Sequence, residues 1–535
     1  MIRKSILSIL LLTCFPLSIW SQGHEARLSQ LDVLHYTFAL QLSDETDTIR
    51  GEAEMKLQFK EPIDHFYLDL VSPGNGERGM RVSEVWAGEE AASFRQAGDS
   101  LVILLAKALP ANETVELQIT YAGVPADGLV ISQNRFGDRT FFGDNWPNRA
   151  HHWLPCVDHP SDKATVEFIV TAPDHYQVVA NGRQVEETNV NDTYKRTHWY
   201  ESAPLPTKVM VIGVAPFAVQ YIGEVNDIPL SSWIFPEDRE AGFYDYEQAR
   251  FILDWFIQNI GPYPFEKLAN VQSKTRYGGM ENAGNIFYSE NSVTGDRSSE
   301  ALFAHEIAHQ WFGNSASEAN WHHLWLSEGF ATYFTNLYME DKYGRERFVE
   351  RLHDERNTVL AYARRRPAPV VDTTVTDYNQ LLNPNSYQKG GWVLHMLRHR
   401  LGDEDFWQGI RAYYEKYKID NALTADFQKV MEQVSGQDLE QFFRQWLFTA
   451  GHPRLETEWS YDESEKVLNL EVRQTQTGMT FYFPLEIELR DSQNGNARRW
   501  TLDISQKWHR FSFPLDFEPG GMVVDPDTLL LFESR

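Results

Sequence analysis

The chain has 535 residues, and at about 150 residues per domain it should form three or four domains rather than one core. It carries 49 Lys and Arg against 76 Asp and Glu, a formal charge of −27. This charge argues against nucleic acid or an anionic membrane as a partner, because both require a basic protein surface. With 42% hydrophobic and 23% charged residues, the composition is that of a folded globular protein.

The first residues match the pattern of a secretion signal. A basic head, MIRK, precedes the apolar run SILSILLLTCFPLSI, and small or polar residues follow. We interpret residues 1–21 as a signal peptide. The run is shorter than a spanning helix needs, so no transmembrane helix is expected in the mature chain, although a retained anchor is the alternative. The run also resembles a lipoprotein box ending at Cys14, so a lipid-anchored form stays open beside a free periplasmic or secreted one.

Hydrophobic periodicity divides the remaining chain into three regions. Over residues 22–223, short runs such as TVELQITYAG and TVEFIVTAP alternate apolar and polar residues, which is typical of half-buried antiparallel strands. Over residues 224–450 the spacing is mostly helical, as in YEQARFILDWFIQNIG. Over residues 451–535 the alternation returns. The sequence therefore predicts a β domain, an α-rich domain and a small C-terminal β domain. Cys156 is the single cysteine outside the signal segment, so no disulfide is expected.

The helical region contains the pattern HExxH in the segment ALFAHEIAHQWFG. Four residues advance a helix by about 400°, so His305 and His309 leave the same face one turn apart and can share one cation. Glu306 points about 100° around the helix from His305, so it is wrongly directed to be a third ligand. It is placed to take a proton from an attacking water. Two ordinary helix histidines are the alternative interpretation.

A third ligand is available after a spacer of 18 residues, where WHHLWLSEGFATYF supplies Glu328. Two neutral imidazoles and one carboxylate, with the fourth position open, form the ligand set of a hydrolytic zinc site. The sequence therefore predicts one Zn²⁺ per chain. His322 and His323 are alternative ligands in principle, but we expect structural roles for them because an open site needs no more donors.

Two further segments contain candidate functional residues but do not predict a function by themselves. YGGMENAGNIFY holds Gly278, Gly279, Met280 and Glu281, where paired glycines let a backbone approach a ligand and a carboxylate could hold a cationic group. A simple glycine turn is the alternative. SYQKGGWVLHML places Tyr387 ahead of a helix, and a buried tyrosine is usually part of the core.

Together, GGMEN, HExxH, the 18-residue spacer, WLSEG and YQKGG occur in an order that resembles the gluzincin zinc aminopeptidases typified by aminopeptidase N and leukotriene hydrolase. The resemblance covers most of the mature chain and includes NRAHHWLPCVDHPSDKATVEF, which is similar to a segment of their N-terminal domain. It implies an α+β multidomain fold with a saddle-like N-terminal antiparallel β domain, a thermolysin-like α-rich catalytic domain and a small C-terminal β-sandwich. It also implies a zinc metallo-aminopeptidase that acts on peptides with a free N-terminus, and the signal-like N-terminus predicts that this enzyme is exported.

The resemblance assigns chemical roles residue by residue. It makes His305, His309 and Glu328 the zinc ligands and Glu306 the general base. Tyr387 would donate a hydrogen bond to the oxyanion of the tetrahedral intermediate. Zinc would polarise the carbonyl, so charge that develops only in the transition state is stabilised.

The resemblance also implies a substrate-binding segment. Glu281 would hold the free α-ammonium of the peptide, which would explain cleavage after the first residue. Gly278, Gly279 and Met280 would line the extended substrate. Many relatives have a glutamine in the N-terminal domain that assists amine recognition, and an ungapped comparison places Asp144 at that position.

Other functions remain as alternatives. An epoxide hydrolase is disfavoured, because the acidic residue and second tyrosine which that branch carries before Tyr387 are Asn379 and Leu382 here. An endopeptidase is disfavoured by Glu281, and a metal-free binding protein by the complete ligand set. Relatives commonly carry a C-terminal helical domain over the cavity, whereas this sequence stops at Arg535, so we expect either a more open site or a different way of screening substrates. The sequence predicts neither the preferred first residue nor the oligomeric state.

Overall fold

The computed structural model describes residues 24–74, 78–493 and 495–534. The predicted signal peptide, 1–21, lies outside these residues, and Cys14 with it. The described chain forms a β-rich N-terminal region, a helical middle region and a C-terminal β region. The predicted fold class is therefore confirmed. No helix in the described ranges is long and apolar enough to cross a membrane.

The N-terminal region is built mainly on one eight-stranded sheet, with strand order β13-β14-β11-β1-β2-β8-β4-β5. Sheets β12-β15-β10-β9 and β3-β7-β6 complete it. In β2, buried and exposed side chains alternate as the sequence pattern predicts. The strands are β1 (Leu31–Gln41), β2 (Ile49–Phe59), β3 (Ile63–Asp69), β4 (Gly79–Ala87), β5 (Glu90–Ala91), β6 (Ser93–Ala97), β7 (Ser100–Leu109), β8 (Thr114–Val124), β9 (Leu129–Gln133), β10 (Arg139–Gly143), β11 (Lys163–Pro173), β12 (Gln177–Ala180), β13 (Arg183–Asn189), β14 (Tyr194–Pro206) and β15 (Ile212–Ala215).

The middle region combines a five-stranded sheet, in the order β16-β17-β18-β20-β19, with a set of helices. The predicted boundary between residues 223 and 224 falls within β16, the first strand of this sheet. The strands are β16 (Ala218–Val225), β17 (Ile228–Ile234), β18 (Leu268–Ser273), β19 (Gly279–Met280), β20 (Asn285–Ser289), β21 (Ala316–Glu318) and β22 (Asp420–Ala422). The helices are α1 (Arg239–Tyr246), α2 (Ala249–Asn259), α3 (Glu300–Ala308), α4 (Trp325–Tyr343), α5 (Arg345–Arg365), α6 (Gly390–Leu401), α7 (Asp403–Tyr417), α8 (Thr424–Ser435) and α9 (Glu440–Leu447).

Short helical turns connect several of these elements. A π-helical turn, Asn385–Lys389, leads directly into α6. The 3₁₀ turns are His24–Ser29, Ala150–His152, Thr207–Val209, Pro236–Asp238, Glu290–Ser292, Trp321–His323 and Tyr378–Leu381.

The C-terminal region consists of two small sheets, β27-β24-β23-β29 and β26-β25-β28. Alternate residues of β24 and β25 are buried, as expected for strands with one face in a core. The strands are β23 (Arg454–Asp462), β24 (Val467–Gln474), β25 (Phe483–Asp491), β26 (Ala497–Ile504), β27 (Trp508–Pro514), β28 (Pro519–Val524) and β29 (Glu533–Ser534).

Helix α4 is the central element of the middle region. Every residue from Trp325 to Met339 is buried, so the helix packs on all sides. Phe312, just after α3, lies against Phe330 and Phe334 of α4, with ring centroids 4.8 and 5.2 Å apart. This contact fixes the helix that carries HExxH against the helix that carries the third predicted ligand.

Helices α4 and α6 cross at two glycines. A β-carbon at Gly329 would lie 2.9 Å from Cα of Gly390, so neither position has room for a side chain. The close crossing brings the π-helical turn at the start of α6 over the first turn of α4. As a result, the hydroxyl of Tyr387 donates to Oε1 of Glu328 at 2.9 Å.

We predict that Gly390→Ala lowers the free energy of unfolding by about 1–3 kcal/mol, because the added methyl group meets backbone atoms of α4. The next residue supplies a matched control. A β-carbon at Gly391 would be 3.3 Å from the methyl group of Thr332, a tight contact with a side chain rather than with the backbone. Gly391→Ala should therefore cost less than Gly390→Ala, because alanine also favours the helix. Thermal unfolding of both variants measures this, and equal shifts would contradict the prediction.

Candidate metal centre

Helices α3 and α4 bring the three predicted ligands together. The Nε2 atoms of His305 and His309 are 3.2 Å apart. Oε2 of Glu328 lies 3.3 Å from the former and 3.2 Å from the latter. Bonds of about 2.0–2.1 Å to a tetrahedral Zn²⁺ place donor atoms about 3.3–3.4 Å apart. The triangle of donor atoms therefore fits zinc in size as well as in chemistry.

The second nitrogen of His309 is held by α4 and by the turn after α3. Its Nδ1 lies 3.2 Å from the carbonyl oxygen of Phe312 and 3.0 Å from Oγ of Ser327. A carbonyl can only accept, so Nδ1 carries a proton, and Nε2, once deprotonated, directs its lone pair at the other donors. This tautomer is the one that a metal ligand needs.

Burial and the neighbouring charged groups shift the pKa values of the three predicted ligands. Burial lowers the pKa of His309, but Glu328 and Glu281 outweigh this effect and raise it to about 10. Burial opposes ionisation of Glu328, yet His309 and His305 hold the pKa of that carboxyl well below its usual range. The pKa of His305 is lowered, mainly by burial. The neighbouring carboxylates thus favour a second proton on His309, and a divalent cation can supply the same positive charge in its place.

The ligands open into a cavity of about 250 Å³ that also contains the predicted substrate segment. Gly278, Gly279, Met280 and Glu281 line it together with Tyr387. Carboxylate atoms of Glu281 and Glu306 and a ring nitrogen of His309 lie within 4.8 Å of one another. Residues that are far apart in sequence therefore form one site.

The two carboxylates in this cavity that are not predicted ligands have shifted pKa values. Burial raises the pKa of Glu306 well above its usual value, and Glu281 and Glu328 add to the shift against the opposing effect of His309. Burial also raises the pKa of Glu281, as does Glu328. Each carboxyl group thus has a greater tendency to hold a proton than in water.

Comparison with known families agrees with this geometry. Residues 244–446 match the model of the peptidase family M1 domain, and residues 33–209 match that of the peptidase M1 N-terminal domain. Together these matches cover most of the chain. The chain belongs to peptidase family M1.

Named relatives of this M1 chain include aminopeptidases. Glutamyl aminopeptidase of Homo sapiens is 29% identical over 468 residues, which are 79% of this chain and 47% of the relative. Aminopeptidase M1-C of Oryza sativa subsp. japonica is 30% identical over 325 residues, 57% of this chain and 36% of the relative. The chain therefore spans less than half the length of these curated relatives.

A solved structure shares the fold of the M1 chain over most of its length. The crystal structure of an M1 zinc metallopeptidase from Deinococcus radiodurans superposes with a TM-score of 0.65 at 25% sequence identity. The superposition covers 78% of this chain and 93% of that one.

Asp144 does not line the cavity. Its carboxylate is fully buried and accepts a hydrogen bond from Arg149, while Nε of Arg276 lies 3.5 Å from its other oxygen. Both guanidinium groups compete with any substrate amine for this carboxylate. A role for Asp144 in amine recognition stays a prediction, and these contacts disfavour it.

The two neighbouring histidines lie outside the ligand cluster. Nδ1 of His322 is 2.7 Å from Oδ1 of Asn320, and Nδ1 of His323 is 2.8 Å from Oγ1 of Thr424. Their contacts are those of structural residues, as expected from the sequence.

Sequence reasoning missed part of the cavity wall. Trp146 and Tyr277 line the cavity, with ring centroids 6.5 Å apart and nearly perpendicular planes, and Leu302 and Leu382 line it as well. Trp146 lies two residues after Asp144, so the N-terminal segment that contains Asp144 contributes Trp146 to the cavity wall. No local periodicity marks such residues, because they come from different regions of the chain.

We predict that zinc affinity increases about tenfold per pH unit between pH 7 and pH 9. A metal must displace the proton that His309 holds below its pKa of about 10, and this competition weakens as the pH rises. Competition with a chelator at three pH values, together with calorimetry in buffers of different ionisation enthalpy, should show about one proton released per zinc.

Glu281→Gln provides the control for this prediction. Removing that charge lowers the pKa of His309, so the dependence of zinc affinity on pH should become weaker. An affinity that does not change with pH in the unmodified protein would contradict the assignment of the proton to His309.

Proposed function

We propose that the chain is a zinc-dependent metallo-aminopeptidase, exported from the cell, that hydrolyses the N-terminal peptide bond of peptides. The observation that carries the proposal is the position of Glu281. Its carboxylate lies within 4.8 Å of donor atoms of Glu306 and His309 in one cavity. The aminopeptidase names of the relatives support the same activity.

The spacing of these groups determines which peptide bond would be cut. The α-nitrogen and the carbonyl carbon of one residue are about 2.5 Å apart, from bond lengths of about 1.46 and 1.52 Å. An ammonium group bound to Glu281 would therefore bring the first carbonyl next to Glu306. Each further residue adds about 3.5 Å, which moves the amine beyond Glu281. The spacing therefore favours removal of single residues over cleavage inside a chain.

His305, His309 and Glu328 would hold the zinc ion. When bound, zinc supplies a Lewis acid that polarises the scissile carbonyl and makes water more acidic. Glu306 takes a proton from the attacking water and can pass it to the leaving amine. Burial and the neighbouring carboxylates raise the pKa of Glu306, which makes it a stronger base than an exposed glutamate.

Tyr387 is the proposed donor to the oxyanion. Its hydroxyl donates to Oε1 of Glu328 at 2.9 Å, so a small rotation can redirect it towards a substrate. Burial raises the pKa of Tyr387 well above its usual value, which keeps the hydroxyl protonated as a donor. A donor that meets the oxygen only as its charge develops would stabilise the transition state more than the substrate.

The substrate backbone is proposed to lie along β19. This strand is at the edge of its sheet, where Gly279 pairs with Tyr288 and Met280 with Phe287 on one side only. Its other side can bind an extended peptide by main-chain hydrogen bonds. Such a peptide would run past Glu306 and end at Glu281.

Export is proposed on the signal-like pattern of residues 1–21 alone. Expression of the full chain followed by intact-mass analysis of the exported and cellular fractions tests it. Cleavage near residue 21 supports a free exported protein, whereas a lipid-modified Cys14 identifies an anchored form. Export would be refuted if the protein were found only inside the cell with residues 1–21 still attached.

We expect Glu306→Gln to bind one zinc ion per chain but to lose about 10²–10⁴-fold in kcat, because only the proton acceptor is removed. The measurement is hydrolysis of aminoacyl-anilides, with zinc content determined on the same samples. Glu300→Gln is a matched control on the same helix, where the carboxylate accepts from Tyr338, Tyr343 and Lys342. Unchanged kcat in Glu306→Gln would remove Glu306 from the mechanism.

We expect Glu281→Ala to lose about 10- to 100-fold in kcat/KM on free aminoacyl-anilides, because the charged partner of the substrate amine is gone. N-acetylated anilides should be poor substrates for the unmodified protein. In the variant, their kcat/KM relative to that of the free amines should increase. Chelation should abolish all turnover. If the unmodified protein cleaves blocked substrates as well as free ones, an endopeptidase becomes the better assignment.

A further inference from the structure

The segment that carries Glu281 is held by its own sheet at its far end, where the carbonyl of Gly284 accepts from the backbone N–H of Ala269 in β18 at 3.0 Å. Strand β19 ends at Met280 and β20 begins at Asn285. Between them, a turn bond from Asn285 N–H to the carbonyl of Asn282 is 3.0 Å long. Glu281 itself is 5% exposed, so its buried carbonyl needs donors from elsewhere.

Those donors come from the end of the helix that carries HExxH. Nε2 of Gln310 donates to the carbonyl oxygen of Glu281 at 2.9 Å and to that of Glu306 at 3.2 Å. Oε1 of Gln310 accepts from the backbone N–H of Gly284 at 2.9 Å. The side-chain amide of Gln310 therefore links both ends of the 281–284 segment to the helical turn that carries Glu306.

Asn314 provides a second, independent link to the same atom. Its Nδ2 donates to the carbonyl oxygen of Glu281 at 2.6 Å. Its backbone N–H donates to the carbonyl of His309, a predicted ligand, at 3.0 Å. Gln310 and Asn314 are both fully buried. Both acceptor positions of one carbonyl are thus occupied by side chains whose backbones are fixed relative to the metal centre.

We infer that Gln310 and Asn314 are positioning residues that set the location of Glu281 relative to Glu306 and the zinc ligands. Together they form an amide clamp that keeps the ammonium-binding carboxylate one residue away from the site of hydrolysis. The inference rests on the proposed aminopeptidase function. It adds that selectivity for a free amino terminus depends on these two neutral side chains as well as on the charge of Glu281.

The clamp can be weakened without replacing a ligand or the base. Gln310→Met keeps the length of the side chain but removes the amide, which frees the carbonyls of Glu281 and Glu306 and the N–H of Gly284 from this partner. His305 and Glu306 remain on α3, His309 directly after it and Glu328 on α4. We therefore expect the position of Glu281 to become less defined while zinc binding is preserved.

Gln445→Met is the matched control. Gln445 is also a buried amide that holds a backbone segment at two points, donating to the carbonyl of Tyr482 at 2.8 Å and accepting from its N–H at 3.0 Å. It lies on α9, away from the cavity. The Gln445→Met variant therefore measures the general effect of removing a buried amide.

The test compares two inhibitors, leucine hydroxamate and 4-methylpentanehydroxamate, which lacks the amine. The ratio of their inhibition constants isolates the amine interaction, since both offer the same metal-binding group. We expect Gln310→Met to reduce this ratio about tenfold, with zinc content and the affinity for 4-methylpentanehydroxamate unchanged. For leucyl-anilide, KM should rise more than kcat falls. Gln445→Met should leave the ratio unchanged.

Each outcome decides the inference. An unchanged ratio in Gln310→Met, an equal loss for both inhibitors, or the same loss of ratio in Gln445→Met would overturn it while leaving the proposed function intact. If the unmodified protein shows no preference for the amine, the proposed function fails and the inference fails with it.

A second variant keeps the inference testable if Gln310→Met does not fold. Asn314→Leu removes only the 2.6 Å bond to Glu281, since Oδ1 of Asn314 accepts no hydrogen bond within the described residues. Asn314→Leu should also reduce the ratio of the two inhibition constants. Because both amides act on one carbonyl, the double variant should show less than the product of the two separate effects. An Asn314→Leu ratio equal to that of the unmodified protein would also overturn the inference.

Discussion

A buried surplus of negative charge is the constraint on which the site depends. Glu281, Glu306 and Glu328 face one cavity, and none of the described residues that line it is a lysine or an arginine. Burying carboxylates in this way is unfavourable unless a cation pairs with them. Zinc and a substrate ammonium are both cations. On the proposed function, this shortage of positive charge accounts both for zinc binding and for recognition of the amino terminus of a peptide.

The fold maintains this arrangement by tight packing around α4. The helix is buried along most of its length, and its crossing with α6 at Gly329 and Gly390 leaves no space for adjustment. Phe312 fixes the turn after α3 to the same helix. The donor atoms of the three predicted ligands, which come from separate segments, are thus held at 3.2–3.3 Å from one another.

The sequence could predict the parts of the site that depend on local geometry. His305 and His309 are one helical turn apart, so their juxtaposition follows from helix periodicity alone. The fold class was equally accessible, because alternation and helical spacing change along the chain. Glu328 could be proposed from its residue type and surroundings, although only the packing of α4 against α3 brings it to the histidines.

Features that depend on contacts between distant segments could not be predicted. Gln310 and Asn314 act on a carbonyl 29 and 33 residues earlier in the chain, and a carbonyl has no signature in the sequence. The contact of Asp144 with Arg276 is another example, because Arg276 reaches this carboxylate from a different region of the chain. Side-chain partners of this kind are determined by tertiary structure, which periodicity does not encode.

The edge position of β19 has a consequence for how a peptide would be processed. An open strand edge recognises the main chain, which is the same in every peptide, rather than a particular sequence of side chains. On the proposed function, each hydrolysis leaves a shorter peptide with a new ammonium group and the same backbone. The product can therefore return as a substrate, and trimming continues residue by residue. Proline, which lacks the N–H that pairs with a strand, would be a natural place for it to stop.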